Sequence, residues 1–455
     1  MTDGTEKSLH PSLSWIRIAL PVAVIILVGL HWWQTKTLRL EAESASAMAN
    51  EQWSNHPPAF PLDSLSSSVY APLAVSPIAV FDTGDGPWLG STIWLQLGRL
   101  ARSQDQPGYD YFPAGRRADL SAATLIQLVI PALAILIWWQ GRNAQNRQGG
   151  SSWANLILQL IEMCGPAVAV GCLLVAALFW HDLGVNGAVR LILILACYLL
   201  FIVSVGSLCW LVARFSRDQS ISALLLSLFW LFNFTLARPV TLNIAATLYP
   251  LPTLDAFARK IDFETRSGYN GVEPRRDRER RFIAEALADY KVKTIDQMPV
   301  NLSAILLQKE ERHQREVFVR RIGELRSQFE GQERVEQIVS LLLPSTAIQI
   351  ASSALAATDA ASEREQLAQA DLYWDRIVKK VYDDIVQSSG TQGNKILRGP
   401  EYWHQFPFVN PVIPDPTHSI ASALIPAAGL SLWAAIGIFF AARRSKPFPP
   451  PGDLA

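Results

Sequence analysis

The stretch LILILACYLLFIVSVGSLCWLV, residues 191–212, contains no charged side chain. A helix needs roughly 17 to 25 apolar residues to cross the hydrocarbon core of a bilayer. This stretch therefore predicts a membrane-spanning helix.

Five further stretches are long and apolar enough to cross a membrane: 15–33, 120–139, 165–180, 221–237 and 420–441. The third is the shortest and can begin earlier, at Leu156. Tryptophans stand at many of the span ends, where an amphipathic ring prefers the headgroup layer: Trp15, Trp32, Trp33, Trp138, Trp139 and Trp180. The sequence therefore predicts six spans.

The chain of 455 residues has 40 basic and 40 acidic side chains, with 50% hydrophobic and only 18% charged residues. Residues 240–418 hold 48 of those 80 charges, 25 acidic and 23 basic. This division is typical of a membrane protein with a large water-facing domain, and it argues against a single soluble enzyme. The balanced charge gives no electrostatic footprint for nucleic acid.

The basic residues of the short loops predict the orientation, since such loops are enriched in Lys and Arg on the cytoplasmic side. These residues are Lys7 and Arg17, Arg142 and Arg147, Arg214 and Arg217, and Arg443, Arg444 and Lys446. Both termini are then cytoplasmic, and the predicted location is the bacterial inner membrane. Arg190 and Arg238 are mild exceptions, because they lie at the outer ends of spans.

This topology divides the chain into five parts. They are an N-terminal tail with the first span (1–33), a first extracytoplasmic segment (34–119), spans two to five (120–237) with a cytoplasmic loop at 140–159, a large extracytoplasmic helical domain (238–419), and the last span with a cytoplasmic tail (420–455). The predicted fold class is an all-α polytopic membrane protein with a mainly helical extracytoplasmic domain.

Two helices of the large domain can be placed by their patterns. Pro274 opens one of them. Another begins at Ser362, where Glu365 completes a capping box, and Gly390 can end it. The apolar stripe of this second helix recurs at three and four residues: Leu367, Ala370, Trp374, Ile377, Val381 and Ile385. It is either the core of the domain or a docking face for another subunit.

Signatures of catalysis are absent from the sequence. It has neither an H-E-x-x-H motif nor a G-x-S-x-G motif. The glycines at 84, 86 and 90 lack the spacing and the lysine of a phosphate loop. The four cysteines, Cys164, Cys172, Cys197 and Cys209, lie in apolar stretches and predict no metal site. We therefore expect no catalytic, cofactor-binding or metal-binding residues.

Polar groups within and next to the spans are the remaining candidates. Glu162 is either an interfacial residue or a functional one, as a coupling contact or a group on the substrate path. Asn233 is either a helix-packing residue or part of a translocation path. In the loop 140–159, Ser151 and Ser152 can cap a helix that carries Trp153 and several apolar residues. The sequence predicts that this amphipathic helix lies along the cytoplasmic face.

Six spans with this loop and a large insertion before the last span resemble the permeases of ABC-2 type ABC transporters. The resemblance is closer to a subgroup with two long extracytoplasmic insertions that carry a domain of unknown function. Its short motifs are FDTGDGPWLG at 81–90 leading to Trp94-Leu95, LARP at 236–239, YPLP at 249–252 and MPVN at 298–301.

The resemblance implies a transport subunit, an exporter by analogy, that binds a separate ATPase and pairs with a second permease, itself or a homologue. ATP and Mg²⁺ would bind to that ATPase. The coupling residues would be Arg142, Arg147, Ser152, Trp153 and Glu162. The loop departs from related sequences in having no acidic residue before Glu162. The alternative is a non-transporting scaffold or sensor whose outer domain binds an envelope partner.

Overall fold

The computed structural model describes residues 14–55, 57–66, 69–85, 92–95, 102–104, 120–145, 153–215, 219–390, 396–406 and 412–443. The helices are α1 Ile16–Ser54, α2 Pro61–Ser66, α3 Ala122–Gln145, α4 Trp153–Leu178, α5 Trp180–Phe215, α6 Gln219–Leu231, α7 Ala237–Leu248, α8 Leu254–Ser267, α9 Arg275–Asp289, α10 Leu302–Ser340, α11 Pro344–Ala356, α12 Ala360–Ser388, α13 Pro400–Trp403 and α14 Pro416–Arg443. Three short strands are β1 Val69–Pro72, β2 Thr92–Leu95 and β3 Arg102–Gln104.

The six predicted spans are present as helices long and apolar enough to cross a membrane. They cover Ile16–Thr37, Ala122–Gln140, Trp153–Leu178, Trp180–Val212, Ser220–Leu248 and Pro416–Arg443. The fifth span consists of α6 and α7, joined by one π-helical turn at Phe232–Leu236. These six helices confirm the prediction of a helical, multi-pass membrane protein.

The spans pack around α4 and α5, which contact each other as well as α1, α3 and α14. The largest buried side chains of this bundle include Tyr198, Phe201, Ile126, Ile130 and Leu160. Gly171 of α4 allows the Phe81 ring to approach closely, because a Cβ at this position would stand 2.6 Å from the ring. The four cysteines are buried in the bundle, as predicted.

The sequence pattern did not predict that α10 and α11 form a hairpin inside the bundle. Gly429, midway along α14, faces the turn between these helices, and a Cβ there would stand 2.8 Å from the Ser340 carbonyl oxygen. Most of α11 is buried against α5 and α14. The sixth span thus covers one side of the turn, at Ser340 and Leu341, while Leu342 is exposed.

A second hydrophobic core lies apart from the bundle and includes the start of α10. It combines α9, α10 and α12 with α2, β2 and Trp403. The stripe on α12 belongs to this core, since Ala370, Trp374 and Val381 are almost fully buried. The interpretation as a domain core is therefore confirmed. We refer to these elements, with α8 and α13, as the helical domain.

The predicted start of α12 differs from the structure, whereas its predicted end does not. Its N-cap is Asp359, whose side chain accepts the amide of Ser362, so the helix begins before the predicted Ser362 start. The aspartate replaces the predicted capping box because it already satisfies the exposed amide. The C-terminal prediction agrees with the structure, because Gly390 has a positive φ of 56° directly after the helix.

The first segment between spans begins as helix, since α1 continues to Ser54, past the apolar part that ends at Thr37. The region that follows contains an antiparallel sheet in the order β1-β2-β3, which the sequence analysis did not predict. Gln366 of α12 connects to this region by two hydrogen bonds to the backbone of Ala74, at 2.8 and 3.0 Å. The segment between the first two spans therefore packs against the helical domain.

Candidate functional site

A polar cavity lies where the helical domain meets the bundle, with a volume of about 760 Å³. Thr124 and Gln127 of the second span line it from one side, and Thr235 and Arg238 of the fifth span line it from another. The end of α10, the hairpin helix α11 and the start of α12 complete the wall. Ser422 of the sixth span also lines the cavity, which therefore joins the insertion to three of the spans.

Asp82 lines this cavity and is only 5% exposed. Its Oδ1 accepts the amide of Gly84 at 3.0 Å, while Oδ2 has no hydrogen-bond partner among the described residues. Burial raises the pKa of the Asp82 carboxyl above its ordinary value. Asp82 is thus a buried carboxyl beside the cavity, and its burial favours the neutral form.

The backbone next to Asp82 is shaped by a close approach to α11. Gly84 has φ +48°, and a Cβ there would lie 2.9 Å from Cβ of Ser353. The next amide, of Asp85, donates to the Thr358 carbonyl oxygen at 3.0 Å. Only glycine fits both the left-handed backbone and the contact, so this turn fixes the two aspartates at the cavity.

Two ion pairs border the cavity. Arg238 donates to Asp85 Oδ1 at 2.5 Å, and Arg364 pairs with Glu333. The structure extends the fifth span to Leu248, so Arg238 lies within it instead of at its predicted outer end, and Asp85 compensates its charge there. Arg190, the other exception, is buried, and it donates to the carbonyl oxygens of Leu355 at 3.2 Å and Pro414 at 2.5 Å.

Two further carboxylates line the cavity without a basic side chain within 4.0 Å among the described residues. Glu336 lies on α10, and Asp359 caps α12. Burial is the largest influence on both, and it raises the pKa of each carboxyl. The nearby charge of Asp85 raises the pKa of both carboxyls further.

The predicted coupling residues belong to the other end of the bundle, where α3 ends and α4 begins. Arg147 and Ser152 lie outside the described residues, and the same holds for the side chain of Arg142. Trp153 Nε1 donates to Ser207 Oγ at 3.0 Å. Glu162 pairs with Arg17 of the first span.

The predicted surface helix in this region is wrong for the part that the structure describes. Residues from Trp153 onward are the first turns of α4, which continues without interruption to Leu178. Leu156, Ile157 and Leu160 face the bundle core instead of a membrane surface. The apolar stripe is compatible with either arrangement, and packing against α5 selects the continuous helix.

Asn233 does not line the large cavity. It is 5% exposed on the π-helical turn of the fifth span, and its Oδ1 has no partner among the described residues. It borders a small cavity of about 20 Å³ together with Pro131 and Pro344. Its neighbours Phe234 and Thr235 face the large cavity instead.

The cavity residues were absent from the predicted site, although a sequence signal for them exists. The motif at 81–90 supplies Asp82, Gly84 and Asp85, and the motif at 236–239 supplies Arg238. The fold brings these two distant motifs together in one ion pair. The YPLP motif also contacts α10, because Gln332 donates to the Tyr249 carbonyl oxygen at 2.7 Å.

A family described as a domain of unknown function (DUF3526) matches residues 258–405. The match covers most of the helical domain together with α11, which places the hairpin within the matched region. No curated protein and no solved structure matches the chain.

Proposed function

We propose that this protein is the membrane-spanning permease subunit of an ATP-driven transporter of the ABC-2 type, with export as its direction. The observation that carries the proposal is the polar cavity of about 760 Å³ that reaches from the helical domain to three of the six spans. A cavity of this size is within the usual range for small-molecule sites. The motifs shared with ABC-2 permeases add independent support.

In this mechanism a separate ATPase binds at the end of the bundle formed by residues 140–159 and closes on ATP and Mg²⁺. Its closure moves the second and fifth spans, which contribute Gln127 and Arg238 to the cavity wall. The cavity would then open to a different side of the membrane, or it would bind a ligand with a different affinity. Such coupling requires two conformations that nucleotide binding favours differently. A second permease subunit, identical or homologous, completes the transporter.

The proposed location is the bacterial inner membrane, with both termini in the cytoplasm and the helical domain outside. On this assignment the cavity opens on the extracytoplasmic side. Labelling of single introduced cysteines with an impermeant maleimide tests the orientation. A cysteine at Arg280, which is exposed in the helical domain, should react in intact spheroplasts, whereas one at Arg443 should react only after lysis.

The decisive experiment is a pull-down of the tagged chain from its source cells, with mass spectrometry of the retained proteins. We expect an ATPase and a second permease subunit. Replacement of both Arg142 and Arg147 by Ala should lower the retained ATPase and its activity, because these residues belong to the predicted contact. The matched control is Arg443→Ala at the same end of the bundle, which should retain the ATPase.

Recovery of envelope proteins without an ATPase would contradict the proposal. That outcome would favour the scaffold or sensor alternative, in which the spans serve only as an anchor. An ATPase that is retained equally by the double variant would contradict the coupling role of Arg142 and Arg147 while leaving the transporter assignment intact.

A further inference from the structure

The fifth span is divided by a single π-helical turn at Phe232–Leu236. Its defining hydrogen bond runs from the amide of Ala237 to the carbonyl oxygen of Phe232, five residues earlier. An α-helix makes this bond to the residue four positions earlier, so the turn holds one extra residue between α6 and α7. Such turns are rare inside helices and are frequent at functional sites. The turn is therefore the place at which the fifth span departs from a regular α-helix.

The two halves of the fifth span are attached to different parts of the protein. α6 packs on α3 and α5, which are the second and fourth spans. α7 packs on α10, and at its end Gln332 donates to the carbonyl oxygen of Tyr249 at 2.7 Å. The ion pair of Arg238 with Asp85 also connects α7 to the segment before the second span. The π-helical turn thus lies between a half held by other spans and a half held by α10 and Asp85.

Polar side chains next to the turn do not stabilise it by hydrogen bonds. Asn233 is 5% exposed, and its Oδ1 has no hydrogen-bond partner among the described residues. Nε1 of Trp230, three residues earlier, is also buried without a partner among these residues. Such atoms are uncommon in folded proteins, and leaving them unpaired costs free energy. The observed conformation of the turn is therefore not favoured by either group.

Two prolines border the same point. Pro131 lies inside α3 and Pro344 begins α11, and both line the small cavity of about 20 Å³ next to Asn233. Proline has no N–H, so the carbonyl oxygen of Gln127, four residues before Pro131, loses its usual helical partner. An interrupted second span, an interrupted fifth span and the start of α11 therefore meet at one place. Helices bend most sharply at such interruptions.

We propose that the π-helical turn is a hinge, at which α6 bends relative to α7 and thereby reshapes the large cavity. Phe234 and Thr235 belong to the turn and line that cavity directly, so a change in the turn changes the cavity wall. As the element that transmits movement from the ATPase end of the bundle to the cavity, the hinge rests on the proposed function. The bending itself does not, because every group involved belongs to this chain.

Distances between pairs of spin labels, measured by double electron–electron resonance, test the bending. The purified full-length chain is placed in nanodiscs of phosphatidylcholine without an ATPase. Labels at Leu225 and Ile244, both exposed, lie on either side of the turn. Labels at Val319 and Ile338 are the matched control, because they are exposed and have the same sequence separation within the uninterrupted helix α10. We expect a broader distance distribution for the first pair than for the control pair.

Deletion of Thr235 tests whether the π-helical turn causes this breadth. The deletion removes the extra residue, so that α6 and α7 can continue as one α-helix with their faces unchanged. The distribution of the pair that flanks the turn should then narrow to that of the control pair, which should not change. Asn233→Leu keeps the chain length and removes the unpaired amide. It should favour the conformation described above and narrow the same distribution.

Equal breadth of the two pairs in the wild type would overturn the proposal. A breadth that neither the deletion of Thr235 nor Asn233→Leu reduces would overturn it as well. A broad distribution that both variants narrow, in a chain that recruits no ATPase, would leave the hinge in place and remove only its role in transport.

Discussion

Gly429 lies against the backbone of Ser340, so that a Cβ at Gly429 would stand 2.8 Å from the Ser340 carbonyl oxygen and 2.9 Å from Cα of Leu341. Both neighbours are backbone atoms, which cannot rotate away as a flexible side chain can. The contact joins the middle of the last span to the turn of the α10–α11 hairpin. It is thus one of the contacts that hold the insertion against the bundle.

We expect Gly429→Ala to destabilise the protein by about 1 to 3 kcal/mol, the usual cost of adding atoms to a filled core. Thermal unfolding in detergent, followed by intrinsic tryptophan fluorescence, measures the effect. Gly29→Ala in the first span is the control, because a Cβ at Gly29 would have no atom of another residue within 4 Å. An unchanged unfolding midpoint for Gly429→Ala would show that the hairpin turn does not pack against α14 as described.

We expect Arg190 to stabilise the C-terminal end of α11 in the hairpin. It is 3% exposed, and it binds the carbonyl oxygens of Leu355 and Pro414. Arg190→Lys keeps the charge but not the planar fork, so we expect a loss of roughly 2 kcal/mol or more from hydrogen bonds to a charged group. Hydrogen exchange should increase around Leu355. Arg266→Ala, at an arginine that is 74% exposed, should leave the exchange pattern unchanged.

Asp82→Asn should make the protein more stable at neutral pH. Because burial raises the pKa of Asp82 in the folded state, folding favours its protonated form, and stability falls as pH rises through the unfolded pKa toward the folded one. Asp85 and Arg238, the charged groups near it, act in opposite directions on this pKa. The amide has no charge to bury, so the unfolding midpoint of Asp82→Asn at neutral pH should be above that of the wild type.

The gain from Asp82→Asn should shrink as pH falls through the unfolded pKa of about 3.9, because below it the carboxyl is protonated in both states. Unfolding midpoints of the two proteins from about pH 3 to about pH 8 test this dependence. Asp277→Asn, at a side chain that is 61% exposed, serves as the control and should show no such trend. A destabilised Asp82→Asn protein at neutral pH would contradict the absence of a partner for Oδ2.

The stability contributed by the pair Glu264–Arg321 should depend on pH in the direction opposite to that of Asp82. Both side chains are almost fully buried, and Arg321 Nε donates to Glu264 Oε2 at 2.6 Å. The Arg321 hydrogen bonds lower the pKa of Glu264. The stability that the ionised Glu264 contributes is therefore complete at pH values above its unfolded pKa, and it is lost as pH falls through its folded pKa.

Arg321→Met should cost about 3 to 5 kcal/mol at neutral pH, because it leaves a buried carboxylate unpaired. The double variant Arg321→Met with Glu264→Leu should recover much of that loss. Denaturant unfolding of the full chain measures both proteins. Equal stability of the single and the double variant would show that Glu264 is not buried as a charge in the folded state.

The helical nature of the protein and its six spans could be predicted from local sequence alone. Runs without charge have the length that a bilayer requires, and the stripe on α12 repeats with the period of a helix, so each could be read within one window of residues. Gly390 could be assigned as a helix-ending residue in the same way. The short strands could not be predicted from local sequence, since β2 is stabilised by contacts with α12, which lies far along the chain.

Only the tertiary structure decided where the insertion lies and which residues form the cavity. α11 is too short to span a membrane, and its apolar, serine-rich sequence does not show that α5 and α14 bury it. Likewise, Asp85 and Arg238 are separated by 153 positions, and no periodicity connects them. The sequence by itself determined the spans, because hydrocarbon thickness acts on each helix separately. The site depended on packing, because its charges meet only when distant segments are brought together.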